Sequence, residues 1–318
     1  MRKSKEVSLT GAPHISSPVD ANAAHRRAVL LLVACVLLWS TSGVLIKQSS
    51  LSALAIVGGR SAIAAVVLWL FVRRPHFTWS MPQIGGAIAY FFMVVFFVQA
   101  TVLTSAANAI LLQYTAPIWV AIFSYWFLGE RLRRMDYVAI AVILVGMLLF
   151  FGDALTPAGM LGNVLAVLAG VAMAWMTLFM RKQKDSSTLE TVLLGNLLAA
   201  AVGLPFLLTS SIQPLDWVIV GFLGVFQLGL PFLLYATAIR SLSAIEAILI
   251  SCLEPILNPI LVFLVIGETP GPMAMAGGAI VLLAVLGRGV MGVRASRAQY
   301  SVASTRSAAE SADSLSRP

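Results

Sequence analysis

Ten apolar runs separated by short polar stretches organise the chain. They fall at residues 28–46, 53–72, 83–104, 106–128, 137–152, 160–180, 189–208, 216–239, 244–266 and 271–287. A helix of about 20 residues, rising 1.5 Å per residue, crosses the hydrocarbon core of a bilayer. Most of the runs approach or exceed that length, and the fifth is the shortest. The pattern predicts an all-α integral membrane protein with ten transmembrane helices. Residues 1–27, polar and rich in Ser, Ala and Pro, and residues 292–318 are expected to form disordered cytoplasmic tails. Leu32-Val33-Ala34-Cys35 looks like a lipoprotein cleavage site, but the apolar run continues past Cys35 to Ile46. That run is long enough to span, so it is expected to stay in the protein rather than be removed as a signal peptide.

Composition agrees with the pattern. Of 318 residues, 59% are hydrophobic and 11% charged, and the mean hydropathy is +0.94. A soluble domain this apolar could not cover its surface with polar groups. The two cysteines, Cys35 and Cys252, both fall inside apolar runs; they read as buried membrane thiols, with no disulfide framework or zinc site.

The net charge of +8 invites a nucleic-acid reading, but the positions of the basic residues remove it. With a cytoplasmic N-terminus, 19 of the 21 Lys and Arg fall in segments that the ten-helix count places inside. They are Arg2, Lys3, Lys5, Arg26 and Arg27; Arg73 and Arg74; Arg131, Arg133 and Arg134; Arg181, Lys182 and Lys184; Arg240; and Arg288, Arg294, Arg297, Arg306 and Arg317. Lys47 faces outside, and Arg60 lies within a span. Basic loops resist translocation, so the alternation predicts a multi-pass protein of the cell inner membrane with both termini cytoplasmic.

The chain also resembles itself. Ser105 to Glu130 reads SAANAILLQYTAPIWVAIFSYWFLGE, and Ser243 to Glu268 reads SAIEAILISCLEPILNPILVFLVIGE. Aligned without a gap, Pro117 meets Pro255 and Gly129-Glu130 meets Gly267-Glu268. A similar offset sets Trp39-Ser40-Thr41 against Trp175-Met176-Thr177. Each half, 28–152 and 160–288, then holds five helices. Five is odd, so the second half enters the membrane the other way round. Inverted repeats of this kind frame a site at their interface near the bilayer midplane and provide for alternating access.

These stretches carry a family resemblance. Leu37-Leu38-Trp39 through Ile46-Lys47, the Gly59-Arg60 pair and the two Pro-to-Gly-Glu segments resemble the drug/metabolite transporter superfamily, in its EamA-type ten-helix branch. The resemblance covers residues 28 to 288. It implies a secondary transporter of small polar or amphipathic metabolites, often exported, amino acids and related compounds among them. The first half departs from its mirror at one telling place: Ala116 stands where the second half has Glu254, so a polar site would be lopsided.

Two ionisable residues inside spans stand out. Arg60 lies in the second span, where a cation costs about 2.5–3.5 kcal/mol at the bilayer centre and should face the bundle interior. It either ties helices together through carbonyls, or snorkels outward, or attracts an anion such as a substrate carboxylate. Glu254 lies near the middle of the ninth span beside Pro255, with Asn258 and Pro259 one turn on. Proline has no N–H, so Pro255 frees the carbonyl of Ser251, Pro259 that of Pro255, and Pro117 that of Gln113. Such backbone is tolerated where protein or a wet cavity satisfies it. Glu254 reads as a kink-side residue satisfied locally, as a partner for a substrate amine, or as a proton carrier. A direct Arg60–Glu254 ion pair is disfavoured by depth, about 6 Å between Cα atoms at 1.5 Å per residue, and by side chains leaning apart. Trp39 and Trp175 could line the cavity or simply pack. Gln99, Gln113, Tyr114, Asn196, Gln227 and Tyr235 are polar groups that more often join helices than bind ligands, and Gln113 joins the candidates because Pro117 frees its carbonyl. Lys47 closes the first span as an anchor or an anion-attracting entrance.

Other classes lose ground. His14, His25 and His76 all lie outside the spans, which removes haem ligation and a Ser-His intramembrane protease. No Asp pair lies within the spans, and there is no HExxH or GxSxG motif. A membrane-embedded enzyme and a channel remain the alternatives, the channel weakened by the lack of a filter or charge ring. The expected partners are a small-molecule substrate and the lipid bilayer, with proton coupling and a homodimer left open, no nucleic acid, no metal and no cofactor.

Overall fold

The computed structural model describes residues 18–129, 134–152, 156–183, 188–238 and 250–287, with 242, 247 and 290. Most of both expected tails, 1–17 and 292–318, lies outside the described residues. Among the described residues the regular structure is entirely helical: α1 (Pro18–Trp39), α2 (Ser42–Gln48), α3 (Ala53–Val72), α4 (Met81–Leu103), α5 (Ala106–Gln113), α6 (Ala116–Phe127) and α7 (Arg134–Gly152). It continues with α8 (Pro157–Lys182), α9 (Thr188–Leu208), α10 (Pro214–Phe222), a π-helical turn (Leu223–Gly229), α11 (Leu230–Ala238), α12 (Glu254–Ile266) and α13 (Pro272–Gly287). Among the described residues seven helical stretches are long and apolar enough to cross a membrane, and three shorter apolar helices, Tyr137–Leu149, Glu254–Ile266 and Pro272–Gly287, accompany them. Their outer surface is apolar too: Leu70, Leu148, Leu208, Leu264 and Leu283 are each at least 70% exposed. A surface of that kind suits lipid and not water. The chain is a multi-pass membrane protein.

The helices start where side chains can take the orphan N–H groups of the first turn. Ser52 accepts from the Ala55 amide, Ser80 from Gln83, Ser105 from Asn108 and Thr156 from Gly159. α1 begins at Pro18, ten residues before the apolar run. Proline is at home in a first turn, and Ala21, Ala23 and Ala24 favour helix, so the helix extends beyond the hydrophobic stretch.

Several spans that the sequence draws as continuous are broken. The first turns at Ser40-Thr41, with the Thr41 hydroxyl bonded to the Leu38 carbonyl at 2.7 Å. The fourth breaks at Tyr114-Thr115, where the Thr115 hydroxyl takes the Leu112 carbonyl at 2.6 Å. The ninth breaks at Cys252-Leu253, so Glu254 opens a helix rather than sitting in the middle of one. Pro117 and Pro255, three residues beyond the start of each of the last two breaks, remove the amide that would have continued the helix. The eighth span loosens into the π turn just before Pro231, whose ring would clash with the Gln227 carbonyl in a regular helix.

The centre is built by α3 against α9 and α4 against α8 and α9, flanked by α1 on α11 and by α5 and α6 on α8. Small residues make this possible, since lipid gives apolar helices no reason to associate except close packing. Gly58 and Gly203 bring α3 and α9 into backbone contact: a Cβ on either would run into the main chain of the other helix. Gly129 and Gly267, each just past a helix end, adopt positive φ angles of 71° and 75°, the left-handed cap that only glycine takes without strain.

The helix ends sort onto two faces. On one, Lys47 meets Glu268 and the Thr104 carbonyl, and Asp216 accepts from Ser49 and Ser50. On the other, the His76 amide donates to Glu190, Gln183 bonds Thr191, and the Lys182 ammonium lies over the Phe127 ring.

Candidate functional site

Arg60, on α3, is 1% exposed and is among the largest fully buried side chains. Its Nη1 donates to Gln227 Oε1 at 3.3 Å, and its Nε–H has no partner among the described residues. The π turn supplies Gln227, and Gly224 in the same turn lets it close on the Arg60 backbone, since a Cβ there would sit 2.9 Å from the Arg60 carbonyl. Across the interior, Asn196 on α9 donates to the Tyr90 hydroxyl of α4 at 2.9 Å, both residues being fully buried, and Asn196 Oδ1 is unpartnered among the described residues. Tyr90 and Arg60 lie close enough to interact electrostatically.

A guanidinium carries five N–H donors, and a tyrosine hydroxyl that accepts one bond still has its own proton to give. Against these stand one neutral amide oxygen on Arg60 and an unused one on Asn196. The cluster is rich in unused donors around a buried positive charge. A buried cation held by a single long bond to a neutral group is costly to keep, and an anion is the ligand that would remove the cost.

A second cluster joins the two proline breaks. The Tyr114 hydroxyl, at the end of α5, lies 2.8 Å from Glu254 Oε2 and 3.0 Å from the Ser251 carbonyl. That carbonyl is the one Pro255 leaves without a helical partner. One turn further along α12, Asn258 donates to Ser42 at 3.0 Å, with its Oδ1 unpartnered among the described residues. Gln113, buried at the last position of α5, directly precedes Tyr114, and its freed carbonyl faces Gly170 of α8.

The other candidates divide. Trp39, at the end of α1, packs its ring 5.8 Å from Phe232 and 5.8 Å from Tyr235, and Phe232 lies 5.8 Å from Tyr90. A row of rings therefore leads from Trp39 to the Arg60 cluster. Trp175 does not join it; it stacks on Phe123 at 4.9 Å, beside Phe127 and Phe179. Arg60 and Glu254 bond to different partners and not to each other. Lys47 is no free entrance charge, because Glu268 at 3.1 Å and the Thr104 carbonyl at 2.7 Å engage it, while Glu268 also accepts from the Ala106 amide at 2.7 Å.

With the polar clusters placed, comparison with known proteins decides the family. A profile of the EamA-like transporter family matches residues 26–152 and again residues 160–288. The chain belongs to the EamA-like transporter family. As an EamA-like transporter it is similar to the pseudopaline exporter CntI of Pseudomonas aeruginosa, 27% identical over 59% of this chain and 69% of that protein. It is likewise similar to an uncharacterized transporter of Archaeoglobus fulgidus, 25% identical over 68% of this chain and 77% of the relative. A crystal structure shares the fold, with a TM-score of 0.57 at 20% identity over 85% of this chain and 99% of the other.

Sequence reading missed Tyr90, Ser42 and Phe232 as neighbours of the site, and named Asn196, Gln227 and Tyr114 only as polar groups inside spans. One signal could have found Tyr90 in this EamA-like transporter. Asn196 lies 136 positions after Arg60, and Gln227 lies 137 after Tyr90, close to the 138 that separate Ser105 from Ser243. The partners in the Arg60–Gln227 and Asn196–Tyr90 bonds are thus spaced in the sequence much as the two similar segments are.

Proposed function

We propose that this membrane transporter is a secondary exporter of small carboxylate-bearing metabolites, amino acids or related compounds, and works by alternating access. It crosses the inner membrane ten times, as two inverted five-helix halves with both termini cytoplasmic. The observation that carries the reading is the fully buried Arg60 with an Nε–H unused among the described residues, set beside Gln227 and Tyr90, the latter bonded to Asn196. Arg60 takes the substrate anion. Glu254, between two freed carbonyls, serves the substrate amine or carries a coupling proton, and Trp39, Gln113 and Asn258 line the path. Trp175 lies outside that path.

The packing supports the inverted repeat. Exchanging each span for the one five places on turns α1 on α11 into α8 on α4, and α3 on the π turn into α9 on α4, and all four contacts occur. The two faces of helix ends support the alternation of loops. Export follows the direction in the name of the Pseudomonas relative. Proteoliposomes containing the purified protein should show saturable uptake and counterflow of a metabolite found by profiling cells with and without the protein. Conductance without counterflow would make it a channel instead. Reporter fusions after residues 155 and 213 should read outside, and those after 77, 185 and 292 inside; a cytoplasmic signal at 155 would break the five-plus-five division.

In this reading the contacts around Lys47 close the outer end. Lys47→Gln or Glu268→Gln should raise labelling of the site from outside, and the charge-swapped pair Lys47→Glu/Glu268→Lys should restore part of the closure. The effect should be modest, since the two side chains are 20% and 24% exposed and partly exposed pairs contribute about 1 kcal/mol or less.

A further inference from the structure

A tyrosine hydroxyl has one proton, and Tyr114 has two acceptors within reach: Glu254 Oε2 at 2.8 Å and the Ser251 carbonyl at 3.0 Å. It can give a full-strength bond to only one of them, since a proton shared between two acceptors serves each more weakly. Both contacts are full-strength hydrogen bonds at once when a second proton sits on Glu254, which then donates to the Tyr114 oxygen while Tyr114 donates to Ser251. When that proton leaves for water, the Glu254 carboxylate becomes the stronger acceptor. The Tyr114 proton then rotates onto Glu254, and the Ser251 carbonyl loses its donor. Pro255 has no N–H to replace it, and an unsatisfied carbonyl in a membrane interior is unfavourable. Ser251 stands at the end of one helical segment and Glu254 at the start of the next, so the change falls on the turn at Cys252-Leu253. We propose that the Tyr114 hydroxyl is a positioning group that converts the protonation state of Glu254 into opening and closing of the helix break at 252–253, and through Tyr114's own place at the break of 114–115 links the two matched discontinuities.

This rests on the reading of Glu254 as the group that gains and loses a proton during the cycle. The groups around Glu254 leave Tyr114 as the responder. From α1 the group in electrostatic reach is Cys35, whose thiol donates to the Pro231 carbonyl, and that helix's His25, Arg26 and Arg27 are about 12 Å or more further along it. From α2 it is Lys47, held at the far end of α12 by Glu268. From the segment before α12 it is Cys252, and α5 ends on Tyr114 itself.

Cys252 sits in the turn and provides the readout. In a Cys35→Ser background it is the one remaining thiol, and its modification by N-ethylmaleimide can be timed in proteoliposomes across pH. Glu254→Gln keeps a donor toward Tyr114 in place of the acid, so its profile should follow the thiolate fraction alone. Protein that retains Glu254 should rise above that profile by about 3- to 10-fold as the carboxyl ionises, the size expected for loss of one hydrogen bond. Tyr114→Phe should label fast at every pH and show no step. Pro255→Ala, which gives Ser251 an amide partner, should flatten the step with Tyr114 intact and slow the labelling of Tyr114→Phe at low pH; that rescue keeps the test sound if the single Phe variant folds poorly. A step that survives Tyr114→Phe overturns the relay alone. Coincidence of the profiles with and without the Glu254→Gln substitution overturns the coupling reading together with the relay.

Discussion

Replacing Arg60 by methionine should abolish counterflow while leaving the protein folded, and Arg60→Lys should lower counterflow by about 100-fold. Two charge-assisted bonds to a carboxylate are each worth about 1.5–3 kcal/mol, and the planar fork that makes both at once is absent from lysine. The stability side of the experiment separates this role from a structural one. Arg60 is 1% exposed and has, among the described residues, a single side-chain acceptor at 3.3 Å. Exchanging so poorly paired a buried charge for an apolar chain of similar length is often neutral or stabilising. The opposing term is Gln227 Oε1, which loses its donor at a cost of about 1–3 kcal/mol. Arg60→Met/Gln227→Leu should therefore match or exceed the native thermal midpoint and still transport nothing. If Arg60 merely tied helices together, Arg60→Met/Gln227→Leu would lower the midpoint and the carboxylate dependence of transport would survive in the folded fraction of Arg60→Met.

The largest loss of folded protein should come from the contact of α3 and α9. A valine at Gly203 would push its Cβ against the Gly58 amide and within 2.6 Å of the Leu54 carbonyl. A side chain at Gly58 would meet the backbone of Gly203 and Leu204. Because backbone faces backbone, no side chain can rotate away. Overpacking of a core costs about 1–3 kcal/mol and occasionally more, and this case should reach the upper end or beyond. Gly203→Val and Gly58→Val should lose the monodisperse peak in gel filtration and any cooperative thermal transition. Gly221→Ala is the control: nothing lies within 4 Å of its added carbon, and alanine is the better helix former by up to about 1 kcal/mol, so its midpoint should hold or rise. Equal behaviour of Gly203→Val and Gly221→Ala would show that the two helices do not depend on close approach.

Much of this protein is legible along the chain. The apolar runs mark the helices because a bilayer demands about 20 apolar residues per crossing, and among the described residues seven of the ten runs appear as helical stretches of sufficient length. Pro117 and Pro255 announce the broken spans, since a missing N–H cannot be hidden in any packing arrangement. Gly129 and Gly267 announce helix ends that require positive φ. Arg60 and Glu254 declare themselves because charge inside an apolar run is expensive wherever it faces. Their partners were not legible. Asn196 for Tyr90, Gln227 for Arg60, Tyr114 for Glu254 and Glu268 for Lys47 depend on which face each helix turns inward. In a soluble protein the polar stripe would reveal that face. Here both the lipid-facing and the core-facing residues are apolar, so the rotation of each helix about its axis leaves little trace in hydropathy. Close packing at residues such as Gly58, Gly203 and Gly224 sets that rotation, and only the tertiary structure decides which buried donor meets which acceptor.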